Sequence, residues 1–298
     1  MISASNLSKA YDVAPVIKNV NLELKESSIF GLIGANGAGK TTLIKLLCGI
    51  YRPDAGVVTL DGLNVSDNAK ARENIYYVPD NIMFYNNFTV KDMREFYSHI
   101  YPTWSDKRYQ TLREVFTFSD KKKIKQLSKG MKTQLSILIA LSCMPKIILM
   151  DEPTSGLDPF IRREVLNLIV QDVISRGTSI LISTHNISEL EQISDTVAFM
   201  DKGEIKMTKE MEELKTKYKK VQIAFEGEMT EEFKQKFNPN ITRQYGKVYE
   251  IIVDMDFEVF KQASIPFHPV LVEKMDMTLE EIFIYAMGGE NYVKQVTI

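Results

Sequence analysis

Apolar residues follow two rhythms along this chain, and their alternation predicts the architecture. Continuous apolar runs at residues 28–33, 147–150 and 178–183 have the composition of strands buried on both faces of a parallel sheet. Between them the period turns helical. Leu43, Ile44, Leu46 and Leu47 follow the first run at helix spacing, and residues 160–175 and 187–193 repeat that pattern. Residues 2–7 and 16–24 read as paired strands around a polar turn that carries Tyr11. Residues 57–65 and 197–207 read as hairpins, and 75–78 as a short strand ending at Pro79-Asp80. From about residue 89 to 144 the chain is helical. Val90, Met93, Phe96, Tyr97 and Ile100 share one face there, Tyr109, Leu112, Val115 and Phe116 another, and a second long helix stops at Pro145. Such alternation predicts an α/β domain that binds ligands at the carboxyl ends of its strands.

Past residue 208 the pattern changes. Residues 209–220 are charged and predict a connector helix, and 221–298 an accessory unit in the order strand, helix, two strands, helix, strand, ending in a helix over 279–287. The βαββαβ order suggests a ferredoxin-like split in a small α+β domain. Nothing in it has a catalytic pattern, and His268, between Phe267 and Pro269, reads as a packing residue.

The stretch joining the first buried strand to its helix, Gly34-Ala35-Asn36-Gly37-Ala38-Gly39-Lys40-Thr41-Thr42, carries the G-x-x-x-x-G-K-[ST] spacing. Glycines let backbone N–H groups converge on phosphate oxygens, and the helix N-terminus adds partial positive charge. In such a loop Lys40 reaches the β- and γ-phosphates and the Thr41 hydroxyl ligates Mg²⁺. The loop therefore predicts a nucleoside-triphosphate site.

Composition changes this picture little. The chain has 298 residues, 44% hydrophobic and 26% charged, with a net charge of −2. It is long enough for one large and one small domain, and the near-neutral charge argues against a dedicated nucleic-acid binder. Cys48 and Cys143 sit in apolar helix-like segments and read as small buried hydrophobes. The N-terminus lacks the apolar core of a signal peptide, and the most apolar stretch, 135–144, is too short to span a bilayer. Work at a membrane would thus require a membrane-spanning partner.

Candidate chemistry clusters at strand ends. Asp151 and Glu152 terminate a buried run, where an aspartate supports Mg²⁺ and an adjacent glutamate can polarise an attacking water. His185 ends the next strand and is a candidate γ-phosphate contact. Leu127-Ser128-Lys129-Gly130-Met131 opens a helix with a second anion-binding device, so the chain holds either two sites or one composite site shared between two chains. Tyr11 fits either an edge-strand packing residue or a ring stacked on a base.

Together these motifs, over about residues 2–208, resemble the nucleotide-binding subunit of an ATP-binding-cassette (ABC) transporter. In that resemblance Tyr11 is the adenine-stacking aromatic, Gly34 to Thr42 the Walker A loop, Leu127 to Met131 the signature and Ile147 to Glu152 the Walker B strand with Glu152 catalytic. Ser155-Gly156-Leu157-Asp158 is the D-loop and His185 the switch histidine. The resemblance implies a P-loop ABC ATPase core with a helical signature subdomain at about 84–144. It also implies ATP and Mg²⁺ as cofactors, and a head-to-tail dimer of identical or different ATPase chains. Ser128, Lys129, Gly130 and Asp158 would then face the partner's nucleotide. A separate transmembrane permease and a place on the cytoplasmic face of the membrane follow from the same resemblance.

Three positions depart from the family pattern. Asp80 replaces the Q-loop glutamine; shorter and charged, it can orient water or touch Mg²⁺ and alters coupling to the permease. Lys129 replaces a signature glycine, either adding a cation near the opposing phosphate or pointing to solvent, and Met131 replaces a glutamine. Asp80, the signature variant and Tyr101-Pro102-Thr103-Trp104 resemble the exporter branch linked to antibiotic and antimicrobial-peptide responses. Within that branch the chain resembles ATPases that export amphipathic peptides such as the staphylococcal phenol-soluble modulins. Phe84, Tyr85 and Phe88 are either permease anchors or core of the helical subdomain. The run 121–125 reads as a solvated face or a contact for anionic lipid heads.

Overall fold

A computed structural model describes residues 1–12, 14–217 and 219–286. The chain divides into two compact units, Met1–Thr208 and Lys209–Ile298. In the first, strands β1 (Ile2–Tyr11) and β2 (Ala14–Leu24) precede β3 (Ile29–Ile33) and helix α1 (Lys40–Leu47). Then come β4 (Ala55–Leu60), β5 (Leu63–Asn64), α2 (Ala69–Glu73) and β6 (Ile75–Val78). Helices α3 (Val90–Ile100), α4 (Asp106–Leu112) and α5 (Lys129–Cys143) form the helical region. The rest alternates: β7 (Ile147–Asp151), α6 (Pro159–Arg176), β8 (Ser179–Thr184), α7 (Ile187–Ile193), β9 (Thr196–Asp201) and β10 (Glu204–Glu210).

Two sheets result. An antiparallel sheet runs in the order β2-β1-β4-β5, and a larger one in the order β10-β9-β3-β8-β7-β6. In the larger sheet β9, β3, β8, β7 and β6 pair in parallel. β3, β7 and β8 are buried at every position, as their unbroken apolar runs require. Helix α1 lies between the sheets. Its Leu43, Ile44, Leu46 and Leu47 share one core with Leu7 and Leu24 of the antiparallel sheet and Leu32, Leu149 and Leu181 of the parallel one. A broad apolar face suits contact with both sheets, at about 1.5–3 kcal/mol per buried side chain, while Thr41, Thr42 and Lys45 occupy the other face. Tyr11 is thus the last residue of β1 rather than part of a turn, because β1 and β2 stay paired as far as Tyr11 and Ala14.

Helix α3 starts with a capping box in which Thr89 and Asp92 satisfy each other's backbone N–H groups. The apolar stretch at 135–144 is the buried body of α5, and no described helix is long and apolar enough to cross a membrane. Asp172 of α6, wholly buried, accepts from Arg108 of α4 at 2.9 Å and from Thr178 at 2.8 Å, with Arg176 at 3.6 Å. One carboxylate therefore joins α4 to α6.

The second unit has α8 (Met211–Lys217), β11 (Lys219–Ala224), α9 (Glu231–Phe237), β12 (Asn240–Tyr245), β13 (Val248–Val253), α10 (Phe257–Ser264), β14 (Leu271–Met275) and α11 (Leu279–Ala286). The connector helix expected over 209–220 is confined to α8, because residues 209–210 still belong to β10 and 219–220 already pair in β11. The sheet order is β12-β13-β11-β14, antiparallel throughout, the arrangement of a split βαββαβ unit. Phe233, Phe237 and Phe260 pack with Val221, Ile223 and Ile251 in its core. Lys220, from the alternate face of β11, is buried between Glu250 and Glu281 at 2.8 and 2.7 Å.

Replacing Asp172 with alanine should strand the Arg108 and Arg176 guanidinium groups and cost about 3 kcal/mol of stability. Urea unfolding followed by circular dichroism would measure this loss; a change below about 0.5 kcal/mol, the range of an ordinary surface substitution, would show that the buried junction contributes nothing.

Candidate active site

The phosphate loop leaves β3 and enters α1 through Gly39, whose φ of 107° lies in the left-handed region. Gly34 has a different reason: a Cβ there would meet the Met200 carbonyl oxygen at 2.4 Å. Glycine lets the loop pass against the end of β9. Inside the loop Lys40, only 6% exposed, donates to the carbonyls of Gly34 at 2.6 Å and Ala35 at 3.4 Å. Burial lowers its pKa, opposed by the charges of Glu152 and Asp151. The ammonium is held where the loop converges. Ala38 is buried, its N–H bonded to the Ala35 carbonyl at 3.1 Å, whereas Asn36, Gly37 and Thr41 are exposed and Thr42 partly so.

At the end of β7, Asp151 is buried to 2% exposure with both oxygens engaged. Thr41 Oγ1 donates to Oδ2 at 2.6 Å, and Ser183 Oγ of β8 to Oδ1 at 2.5 Å. Ser183 was no sequence candidate; its only signal was its place at the end of an apolar run. The next residue, Glu152, takes φ 50°, left-handed for a residue with a side chain, and its N–H bonds the Ser183 carbonyl at 3.0 Å. This turn brings Glu152 Oε2 to His185 Nδ1 at 2.9 Å. Its Oε1 is buried without a hydrogen-bond partner, 3.7 Å from Lys40 Nζ. That distance is an ion pair too long for a hydrogen bond. The structure therefore brings together Lys40, Thr41, Asp151, Glu152 and His185.

The donor set suits Mg²⁺. A threonine hydroxyl and a carboxylate are hard oxygen donors, and Mg²⁺ ordinarily takes only one or two carboxylates, completing its shell with water and phosphate. Among the described residues no cluster of three or more His, Cys, Asp or Glu side chains forms a cage for a metal. Thr41 and Asp151 are the residues that would hold the ion. Asp80 accepts from Lys129 Nζ at 3.2 Å, so the largely exposed Lys129 has a partner within its own chain. With 61% and 46% of these side chains exposed, the ion pair is worth less than about 1 kcal/mol.

The remaining candidates also have local partners. Ser128 Oγ caps α5 by accepting the Met131 N–H at 3.2 Å, and Asp158 Oδ1 caps α6 through Phe160 and Ile161. A Cβ on Gly130 would stand 2.9 Å from the Gly156 carbonyl oxygen, so the signature turn abuts residues 155–158 of the same chain. Tyr11 is 43% exposed, its hydroxyl 3.5 Å from Thr42 Oγ1 and its ring edge-on to Tyr51 at 6.0 Å. Tyr51, which the sequence did not single out, adds a second aromatic beside it. Phe84, Tyr85, Phe88, Phe96 and Tyr97 form a chain of ring contacts at 4.9–6.4 Å, with Tyr85 57% exposed.

Comparison with known proteins agrees with this geometry. The ABC transporter family model matches residues 17–155. The chain is 33% identical over 290 residues to the ABC transporter ATP-binding protein YtrB of Bacillus subtilis, covering 97% of this chain and 99% of the relative. It is 32% identical to the linearmycin resistance ATP-binding protein LnrL of the same organism, covering 69% of this chain and 68% of LnrL. The fold matches the dimeric ATP-binding cassette MJ0796, solved in a post-hydrolysis state with ADP and Pi, with a TM-score of 0.64 and 23% identity over 71% of this chain and 99% of that one. A phosphate loop packed against a buried, strand-end carboxylate, in a chain aligned with YtrB almost from end to end, belongs to the ATP-binding subunits of ABC transporters.

Proposed function

We propose that this ATPase drives export through a separate membrane-spanning subunit, by closing head to tail with a second ATPase chain around two ATP molecules. The observation that carries the reading is the Glu152 carboxylate. One oxygen contacts His185 at 2.9 Å; the other is buried, free of hydrogen bonds and 3.7 Å from Lys40. A buried acceptor with unused capacity at the edge of the phosphate loop suits a general base that takes a proton from water. Lys40 and the loop N–H groups bind the triphosphate, and His185 orients Glu152 and the γ-phosphate. Mg²⁺ held by Thr41 and Asp151 would neutralise phosphate charge. Tyr11, beside Tyr51, offers a face for the adenine.

Completion in trans is favoured by the signature turn. Ser128 and Gly130 stand at the N-terminus of α5, a donor-rich end suited to an anion, yet Gly130 abuts Gly156 and Ser128 caps its own helix. Lys129 would exchange Asp80 for the opposing phosphate when two chains close, and Asp158 would approach the same nucleotide. Asp80 is then freed to orient water. The half-exposed ring chain around Tyr85 suits a permease helix, which supports a position at the cytoplasmic face of the membrane. The name of LnrL, a linearmycin resistance ATP-binding protein, supports an antibiotic as cargo.

Three measurements test this reading on the purified full chain. Glu152→Gln should lower ATP turnover by about 10²–10⁴-fold and accumulate an ATP-bound dimer on size-exclusion chromatography. A wild-type chain that stays monomeric and inactive with Mg·ATP would refute the homodimer and require a second ATPase subunit. Gly130→Ala should keep ATP binding by the monomer but reduce turnover about tenfold or more, because its Cβ displaces the signature turn. Tyr85→Ala should weaken copurification with the permease by about 2 kcal/mol, roughly thirtyfold; unchanged copurification would assign the ring chain to internal packing.

A further inference from the structure

Beside the contact between Glu152 and His185 runs a second bridge between the same two strand exits. Thr154 lies two residues beyond Glu152, and Asn186 follows His185. Both are joined through Glu189 of α7, which is only 8% exposed. Thr154 Oγ1 donates to Glu189 Oε2 at 2.5 Å, and Asn186 Nδ2 donates to Oε1 at 2.8 Å. Arg162 of α6 ion-pairs with Oε1 at 3.2 Å, and its other NH2 donates to the Leu157 carbonyl at 3.4 Å. A single carboxylate thus gathers the exit of β7, residues 154–158, the first turn of α6 and the loop that carries His185.

This is not the local role that its position predicts. Asn186 is the N-cap of α7 and Glu189 stands three residues later, where a capping-box glutamate would accept the N-cap's backbone N–H. Here that N–H bonds Thr184 Oγ1 instead, and Asn186 makes no side-chain cap. The carboxylate is diverted across the fold to Thr154, itself 4% exposed. A carboxylate taken out of water is tolerable only with its donors in place, so moving either strand exit alone would leave it uncompensated.

We propose that Glu189 is a positioning residue that makes residues 152–158 and 184–190 move as one body, holding His185 against Glu152. It acts through those two residues. The inference rests on the ATPase reading, yet the coupling itself can be measured without turnover.

The test uses the full chain with Glu189→Gln, which keeps the volume but turns one acceptor into a donor. A second variant, Thr154→Val, deletes only the hydroxyl at the far end. Hydrogen exchange by mass spectrometry should show faster exchange in 152–158 and 184–190 together in each variant, with 34–47 unchanged. In steady-state kinetics kcat should fall about tenfold or more while KM for ATP stays within about twofold. The double variant should be no slower than the slower single one. Faster exchange in one segment alone, faster exchange throughout the domain, or losses that multiply in the double variant would each overturn the proposal. A wild-type chain without ATPase activity would refute the self-sufficient engine, and the paired exchange would still decide the role of Glu189.

Discussion

The first unit depends on keeping one carboxylate, Asp151, buried and satisfied at the end of a parallel strand. An unpaired buried charge would cost several kcal/mol, so its two oxygens dictate their surroundings. Ser183 from the neighbouring strand holds one and Thr41 from the first turn of α1 holds the other. Through these contacts β7, β8 and the phosphate loop are fixed at one point. The strands reach that point because β3, β7 and β8 are apolar at every position and have no stable place except inside a covered sheet. Helix α1 follows through its apolar face, which packs into the core that the two sheets share.

The candidate base stands one residue further on. Asp151 completes the strand, and the left-handed φ of Glu152 breaks the alternation so that its side chain turns toward His185 and Lys40. Such a backbone conformation costs of order 1–3 kcal/mol and persists only when its surroundings hold it. The Ser183 carbonyl does so directly, accepting the Glu152 N–H. Ser183 therefore serves both neighbours, satisfying Asp151 through its hydroxyl and holding Glu152 through its carbonyl.

The helical region is tied to this core by contacts of very different strength. Arg108 reaches the wholly buried Asp172, whereas Lys129 reaches Asp80 across a half-exposed pair. The first resists separation and the second yields readily to a competing charge. A subdomain firmly anchored through α4 and loosely held at the start of α5 has its compliance where the signature turn stands. The second unit follows a different logic, with a split βαββαβ core of phenylalanines and a buried lysine between two glutamates.

The sequence by itself determined the elements and the chemistry of the phosphate loop, because both are local. A glycine-lysine-threonine spacing works through backbone that the same residues provide, and strand periodicity registers burial directly. Hence β3, β7, β8 and α1 were legible in the chain, and Lys40, Thr41, Asp151, Glu152 and His185 could be named as candidates that the fold then brings together. Boundaries were less so. The helix over 209–220 shrank to α8, and Tyr11 joined β1, because pairing partners distant in sequence decide where a strand ends. Only the tertiary structure showed that Lys129 is taken by Asp80, that Ser183 completes the Asp151 site, and that Glu189 abandons a capping box for Thr154. Each of these is a choice among donors and acceptors far apart in the chain. Sequence names the groups that can bond, and packing alone decides which of them meet.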